Sequence, residues 1–171
     1  MDELVIRDVT PADAPAIAGI YGHHVLNGTA SYDLVPPAAK AFRDKIERIS
    51  SARWPFIIAV RGGVVVGYAY VTQFRDRDAY RFTAEDSIYV HPDRMRQGVG
   101  GKLLDALIER SVAHGFRTLI AVIGGAEPGS IALHAARGFS EVGRLRAVGY
   151  KHECWLDSVY MQLEMRPAAD Y

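Results

Sequence analysis

Glu85 and the glycines Gly98, Gly100 and Gly101 stand within one short stretch, EDSIYVHPDRMRQGVGGKLL, residues 85–104. A carboxylate can take a proton from a nucleophile. A glycine turn that opens a helix presents backbone N–H groups with no intrahelical partner, and these bind phosphate oxygens. A proton acceptor beside a phosphate cradle points to an enzyme that uses a phosphate-bearing cofactor. Further along, His134 carries a ring that titrates near pH 6.5 and could move a proton or simply hold a neighbouring loop. Arg75 and Arg77 lie in the segment FRDR. Their planar forks match a carboxylate, unless Asp76 and Asp78 neutralise both in a solvated turn. Cys154 is near His152 but lacks the pattern of a His-centred triad, so a structural thiol is the simpler reading. His23 and His24 are adjacent, point to different sides and have no Cys/His partners at ligand spacing, so no metal is expected.

Two common phosphate motifs fail on this glycine turn. A P-loop ending at Gly101-Lys102 needs glycine where Arg96 stands and Ser or Thr where Leu103 stands. A dinucleotide fingerprint starting at Gly98 needs a third glycine where Leu103 stands, and it belongs near the first strand rather than mid-chain.

The elements that must carry these residues follow from periodicity. Leu4–Val9 reads as a strand, then Thr10 and Pro11 open a helix with Ala14, Ile17, Ala18 and Tyr21 on one face. Phe42, Ile46 and Ile49 give a second helix over Ala38–Ser51. Phe56–Val60 and Val64–Thr72 are strands joined at Gly62-Gly63, a strong hairpin signal. Arg81–Val90 is a strand with Thr83, Glu85, Ser87 and Tyr89 on one face and Ala84, Asp86, Ile88 and Val90 on the other. Gly98–His114 is a long helix with Leu103, Leu104, Leu107, Ile108 and Val112 as its apolar stripe, stopped by Gly115. Thr118–Ile123 is a central strand, Pro128–Arg137 a short helix, and Phe139–Val148 and Trp155–Leu163 two closing strands. The order βααβββαβαββ predicts a mixed α/β domain with one sheet and helices on its faces.

The bulk numbers fit. A chain of 171 residues suits one domain, with residues 166–171 as a frayed tail. Lys+Arg and Asp+Glu both number 20, which argues against a general nucleic-acid binder. No apolar run approaches the roughly 18 residues a membrane helix needs. One cysteine allows no internal disulfide and fits a cytoplasmic setting.

The remaining pattern, x-x-G-x-G/A after a strand and at the start of a long helix, resembles the pyrophosphate loop of the GNAT superfamily of N-acetyltransferases. The family form has Gln or Arg three residues before the first glycine, where this chain has Met95. GYAYVTQFRDRDAYRFTAEDSIYVHP, HGFRTLIAVIG, SIALHAARGF and VGYKHECWLDSVYMQ extend the resemblance over about residues 4–164. They are similar to the phosphinothricin and methionine sulfone or sulfoximine acetyltransferases.

That resemblance implies a GNAT fold: a mostly antiparallel mixed sheet of about seven strands flanked by about four helices. It implies direct transfer of acetyl from acetyl-CoA to the α-amine of a small amino-acid analogue, and a homodimer. Glu85 matches the proposed base and His134 a second proton-transfer or positioning residue. Arg96, Gln97, Gly98, Val99, Gly100 and Gly101 would hold the pyrophosphate, and Ile88, Tyr89 and Val90 the pantetheine arm. A backbone N–H near Tyr89 or Val90, where the strand should splay, would face the developing oxyanion. Glu127 stands where the family often has Asn and can only accept hydrogen bonds while ionised. Arg75, Asp76 and Arg77, with Glu85, Asp86 and Ser87, would bind the substrate. Tyr80, Thr29, Tyr32 and Lys151 are weaker candidates for the rim. Acetylation of a protein N-terminus, a lysine or a polyamine is one alternative, and a non-catalytic acyl-CoA sensor is another.

Overall fold

A computed structural model describes residues 2–165; the expected frayed tail lies outside the described residues. The elements are β1 (Leu4–Asp8), α1 (Ala14–Asn27), α2 (Ala39–Ser51), β2 (Phe56–Arg61), β3 (Val64–Gln73), β4 (Thr83–Val90), α3 (Val99–His114), β5 (Thr118–Gly124), α4 (Pro128–Ala135), β6 (Ser140–Lys151) and β7 (Cys154–Glu164). Short 3-10 turns precede α1, β4 and α3. The order of strands and helices is the one the periodicity predicts. The seven strands form one sheet in the order β1-β2-β3-β4-β5-β7-β6. Among the described residues only β4 and β5 pair in parallel, because α3 crosses over between them.

Both faces of the sheet are covered. Ile57, Ala69, Val71, Leu119 and Ala121 pack with Leu103, Leu104 and Leu107 of α3 in one core. On the other face Phe56, Ile58 and Tyr68 pack with Ile17 and Ile20 of α1 and Phe42, Ile46 and Ile49 of α2. Ser111, not Val112, completes the buried stripe of α3. Its hydroxyl donates to the Leu107 carbonyl, which lets a small polar side chain take an inside position. Val112 turns to solvent, 49% exposed.

The start of α1 is clamped by charge. Arg7 holds both oxygens of Asp13, at 2.9 and 2.8 Å, and Asp13 also accepts from the Thr10 N–H and hydroxyl. The Arg7 guanidinium is the main reason the Asp13 carboxyl sits below its ordinary range; burial opposes it and the Thr10 donors add to it. Among the described residues no helix is long and apolar enough to cross a membrane.

Candidate active site

The sheet opens at its centre. β4 pairs with β5 only from Thr83↔Thr118 to Asp86↔Ala121. Beyond that point β4 continues beside β3 as far as Gly67↔Val90, and β5 continues beside β7 as far as Gly124↔Ser158. The two strands part, and each leaves a bare edge. The register shows which groups line it. The N–H of His91 and the carbonyl of Thr83 bond toward β3, whereas Arg117 reaches the Phe82 carbonyl from the β5 side. With period two, residues 84, 86, 88 and 90 therefore turn their backbone groups toward β5. Past Asp86 those of Ile88 and Val90 face a gap. His24 of α1 donates from Nε2 to the Val90 carbonyl at 2.8 Å. Burial, the largest effect on His24, pushes its pKa down against the pull of that carbonyl, which keeps the ring neutral.

A cleft of about 430 Å³ fills the opening. Its walls include Glu85, Asp86, Ser87, Ile88 and Tyr89 of β4, so a run of five predicted positions converges there. Glu85 and Asp86 point through opposite faces of the strand. The Glu85 side chain is 34% exposed. Burial pushes its carboxyl pKa up, Arg75 pulls it down, and Asp86 pushes it up again; the net direction is upward. A carboxylate whose proton affinity is raised is a better proton acceptor than a fully solvated one.

Asp86 and His134 form a second, deeper unit, with 3% and 2% of their side chains exposed. His134 Nδ1 donates to the Ser130 carbonyl at 2.7 Å, which leaves Nε2 3.3 Å from Asp86 Oδ2. That contact is misaligned, and neither atom has another hydrogen-bond partner. A neutral ring donating from Nδ1 would aim a lone pair at a carboxylate. A proton between Nε2 and Oδ2 removes that repulsion. Burial lowers the His134 pKa, but Asp86 and the Ser130 carbonyl outweigh it, and the net shift is upward. His134 thus faces Asp86 in a buried pair that raises its affinity for a proton.

The glycine turn is built as an anion cradle. Arg96 and Gly98 both adopt left-handed backbone, φ 57° and 79°. Gly98 caps α3, whose first intrahelical bond runs from the Lys102 N–H to the Gly98 carbonyl. The N–H groups of Gly98, Val99, Gly100 and Gly101 precede that bond and have no intrahelical acceptor. They suit a pyrophosphate.

Some predicted residues have different jobs from those expected. The Val99 side chain is buried in the core, so only its backbone is available to a ligand. The Tyr89 ring packs into the other core against Tyr21 and Tyr68. Gln97 accepts from Arg61 and donates to the Asp93 carbonyl, bracing the turn. Both Glu127 oxygens cap α4, accepting from Gly129 and Ser130 at 3.0 and 2.7 Å. That cap satisfies two of the free amides at the start of α4. Arg75 lies over the Phe74 ring at the rim, with Nη1 4.0 Å from Glu85 Oε2. Asp76 and Arg77 stay on the exposed turn outside the cleft walls. Cys154 is exposed at the β6–β7 hairpin and does not line the cleft.

Sequence reasoning missed most of the opposite wall. Tyr21 read as an apolar helix position, yet its hydroxyl meets Ser31 at 2.6 Å and Asp33 at 2.7 Å. Tyr32, a rim candidate, bonds the Asp157 carbonyl, Ser158 and the Gly125 N–H. Lys151 is buried, its ammonium donating to the Ser31 carbonyl. Tyr70 was not anticipated either. The run SYD inside a polar loop was the one local signal. Its partners are far away along the chain.

The open strand edge and the glycine cradle are the arrangement that decides the family. Residues 25–139 match the acetyltransferase (GNAT) family model. The chain belongs to the GNAT acetyltransferase family. It is 46% identical over 158 residues to a phosphinothricin N-acetyltransferase of Alcaligenes faecalis, covering 92% of this chain and 80% of that protein. It is 36% identical over 163 residues to an L-methionine sulfoximine/L-methionine sulfone acetyltransferase of Pseudomonas aeruginosa, covering 95% of each. A Sinorhizobium meliloti phosphinothricin acetyltransferase solved in complex with AcCoA superposes with a TM-score of 0.92 at 45% identity, over 94% of this chain and 88% of that one.

Proposed function

We propose that this GNAT protein transfers the acetyl group of acetyl-CoA directly to the α-amine of a small amino-acid analogue of the phosphinothricin, methionine sulfone or methionine sulfoximine type. The observation that carries the reading is Glu85, a half-buried carboxylate with a raised pKa on the wall where β4 leaves β5. The names of the relatives give the substrate class.

The gap fits the cofactor. Ile88 offers its backbone groups to an extended amide-bearing arm, and the amides from Gly98 to Gly101 suit its pyrophosphate. Acetyl-CoA, when bound, supplies the activated acetyl group. The protein's own work is to make the amine nucleophilic and to hold it. An α-amine of pKa about 8 is mostly charged at neutral pH, so a base must take its proton. Glu85 accepts that proton. Arg75, beside Glu85, receives the adjacent α-carboxylate. His134, engaged by Asp86 and the Ser130 carbonyl, braces the inner wall. The Val90 N–H is turned to the gap and is available to a developing oxyanion.

The reading includes a homodimer and a cytoplasmic detoxifying role. Support for self-association lies on the sheet's β6 edge, where Val142, Leu145, Val148 and Tyr150 are exposed apolar side chains, continued by the exposed Trp155 at the start of β7. The test is acetyl-CoA-dependent thiol release with methionine sulfone, methionine sulfoximine, phosphinothricin, common amino acids, spermidine and a lysine peptide. Turnover on the sulfone-like acids is expected. Turnover confined to peptide or polyamine refutes the substrate class, and CoA binding with no turnover on any amine favours the sensor.

A further inference from the structure

The cleft walls hold the carboxylates Asp33, Glu85 and Asp86, no Lys or Arg is among the described residues that line it, and His134 is already engaged by Asp86 and the Ser130 carbonyl. An amino acid with an acidic side chain carries two anionic groups. Arg75, 4.0 Å from Glu85, is placed for the carboxylate next to the reacting amine. The second anion needs another receptor, farther from Glu85.

Tyr70 meets that requirement. It lies directly across from Ser87 in the β3–β4 register, two residues along from the partner of Glu85, and on the same sheet face as both. Diagonal neighbours of this kind stand about 7–8 Å apart. That spacing sets Tyr70 about one substrate side chain along the sheet from Glu85. Tyr70 lines the cleft, and its hydroxyl oxygen accepts from Lys45 Nζ at 3.1 Å. The Lys45 ammonium lies 5.0 Å from the Tyr70 ring centroid and 5.3 Å from that of Phe42, which fixes it in place. Because Lys45 occupies a lone pair of the phenol, the hydroxyl hydrogen is left to donate. No acceptor among the described residues takes it.

We infer that Tyr70, polarised by Lys45, is the receptor for the distal acidic group of the substrate, and that Lys45 is the positioning residue that favours an anionic head over a neutral one. A hydrogen bond strengthened by a charge behind the donor gains more from an oxyanion than from a sulfone oxygen. This inference rests on the amino-acid reading proposed above.

The test is steady-state kinetics of the full chain on phosphinothricin, whose head is anionic, and on methionine sulfone, whose head is neutral. The variants are Lys45→Met, Lys45→Arg and Tyr70→Phe. Each keeps the packing stem or ring, and circular dichroism checks the fold. Lys45→Met is expected to raise KM for phosphinothricin about tenfold while moving KM for the sulfone less than twofold and leaving kcat near wild type. Lys45→Arg should restore most of the loss, and Tyr70→Phe should reproduce it. Unchanged KM values, or equal rises for both substrates, overturn the inference while leaving the amino-acid activity standing. A wild-type protein that acetylates neither acid overturns both readings together.

Discussion

Replacing Glu85 by Gln removes the proton acceptor and keeps the shape of the side chain. The structure sets the size of the expected loss. A positioned general base contributes about 10²–10⁴ in rate, or roughly 3–5 kcal/mol of barrier. The lower end applies here, because an amine of pKa about 8 is still roughly one-tenth unprotonated at pH 7 and can react without help. A fall in kcat/KM of about 10²-fold at pH 7 is expected. It should shrink as pH rises, because solvent then deprotonates the amine. In the native protein, activity should fall as acidity climbs through the raised Glu85 pKa. Stability should not suffer. A carboxyl whose folded pKa lies above its unfolded value contributes stability at low pH that is lost as pH rises through the folded pKa. At pH 7 the ionised Glu85 is therefore slightly unfavourable, and Gln should match or raise the melting temperature. The Arg75 contact is long and half-exposed, so its loss matters little. The assay is a pH-rate profile of thiol release, with CoA affinity measured by calorimetry. A variant within about threefold of native at every pH from 6 to 9, with equal CoA binding, refutes Glu85 as the base.

Three other outcomes are expected. In Asp86→Asn the burial of His134 loses its main opponent, so an NMR titration should show the ring moving from above its ordinary 6.5 to below it; a value that stays high assigns the shift to something other than Asp86. Asp13→Ala removes the Arg7 clamp and the Thr10 bonds, with an expected loss of about 1–2 kcal/mol in urea unfolding at pH 7. The Asp13 contribution is present above the unfolded carboxyl pKa and is lost as pH falls through the depressed folded one, so native and variant stabilities should converge in acid; parallel curves sink the argument. Gly98→Ala meets no atom within 4 Å but forces a side chain into left-handed backbone, which should lower stability by about 1–2 kcal/mol and weaken CoA binding; an unaltered CoA affinity separates the turn's conformation from its ligand role.

The chain's periodicity carried the architecture. Apolar spacing of two and of three to four residues, with turn glycines at 62–63 and 115, was enough for the order of all seven strands and four helices. These signals are local, because one residue's backbone preference and its neighbours' polarity decide them. The alternation along β4 also put Glu85 and Asp86 on opposite faces in advance, and the glycine turn marked the anion cradle. What required the tertiary structure was every relation between distant segments. The parting of β4 from β5 depends on where their pairing stops, at Asp86 and Ala121. The core role of the Tyr89 ring and the burial of Ser111 follow from packing that composition does not encode. The partnerships of His134 with Asp86, of Tyr21 with Asp33 and of Tyr70 with Lys45 join residues from 12 to 48 positions apart, and the clearest of them span separate elements. A side chain's chemistry is written in its type, but its pKa and its direction are set by what folding brings against it.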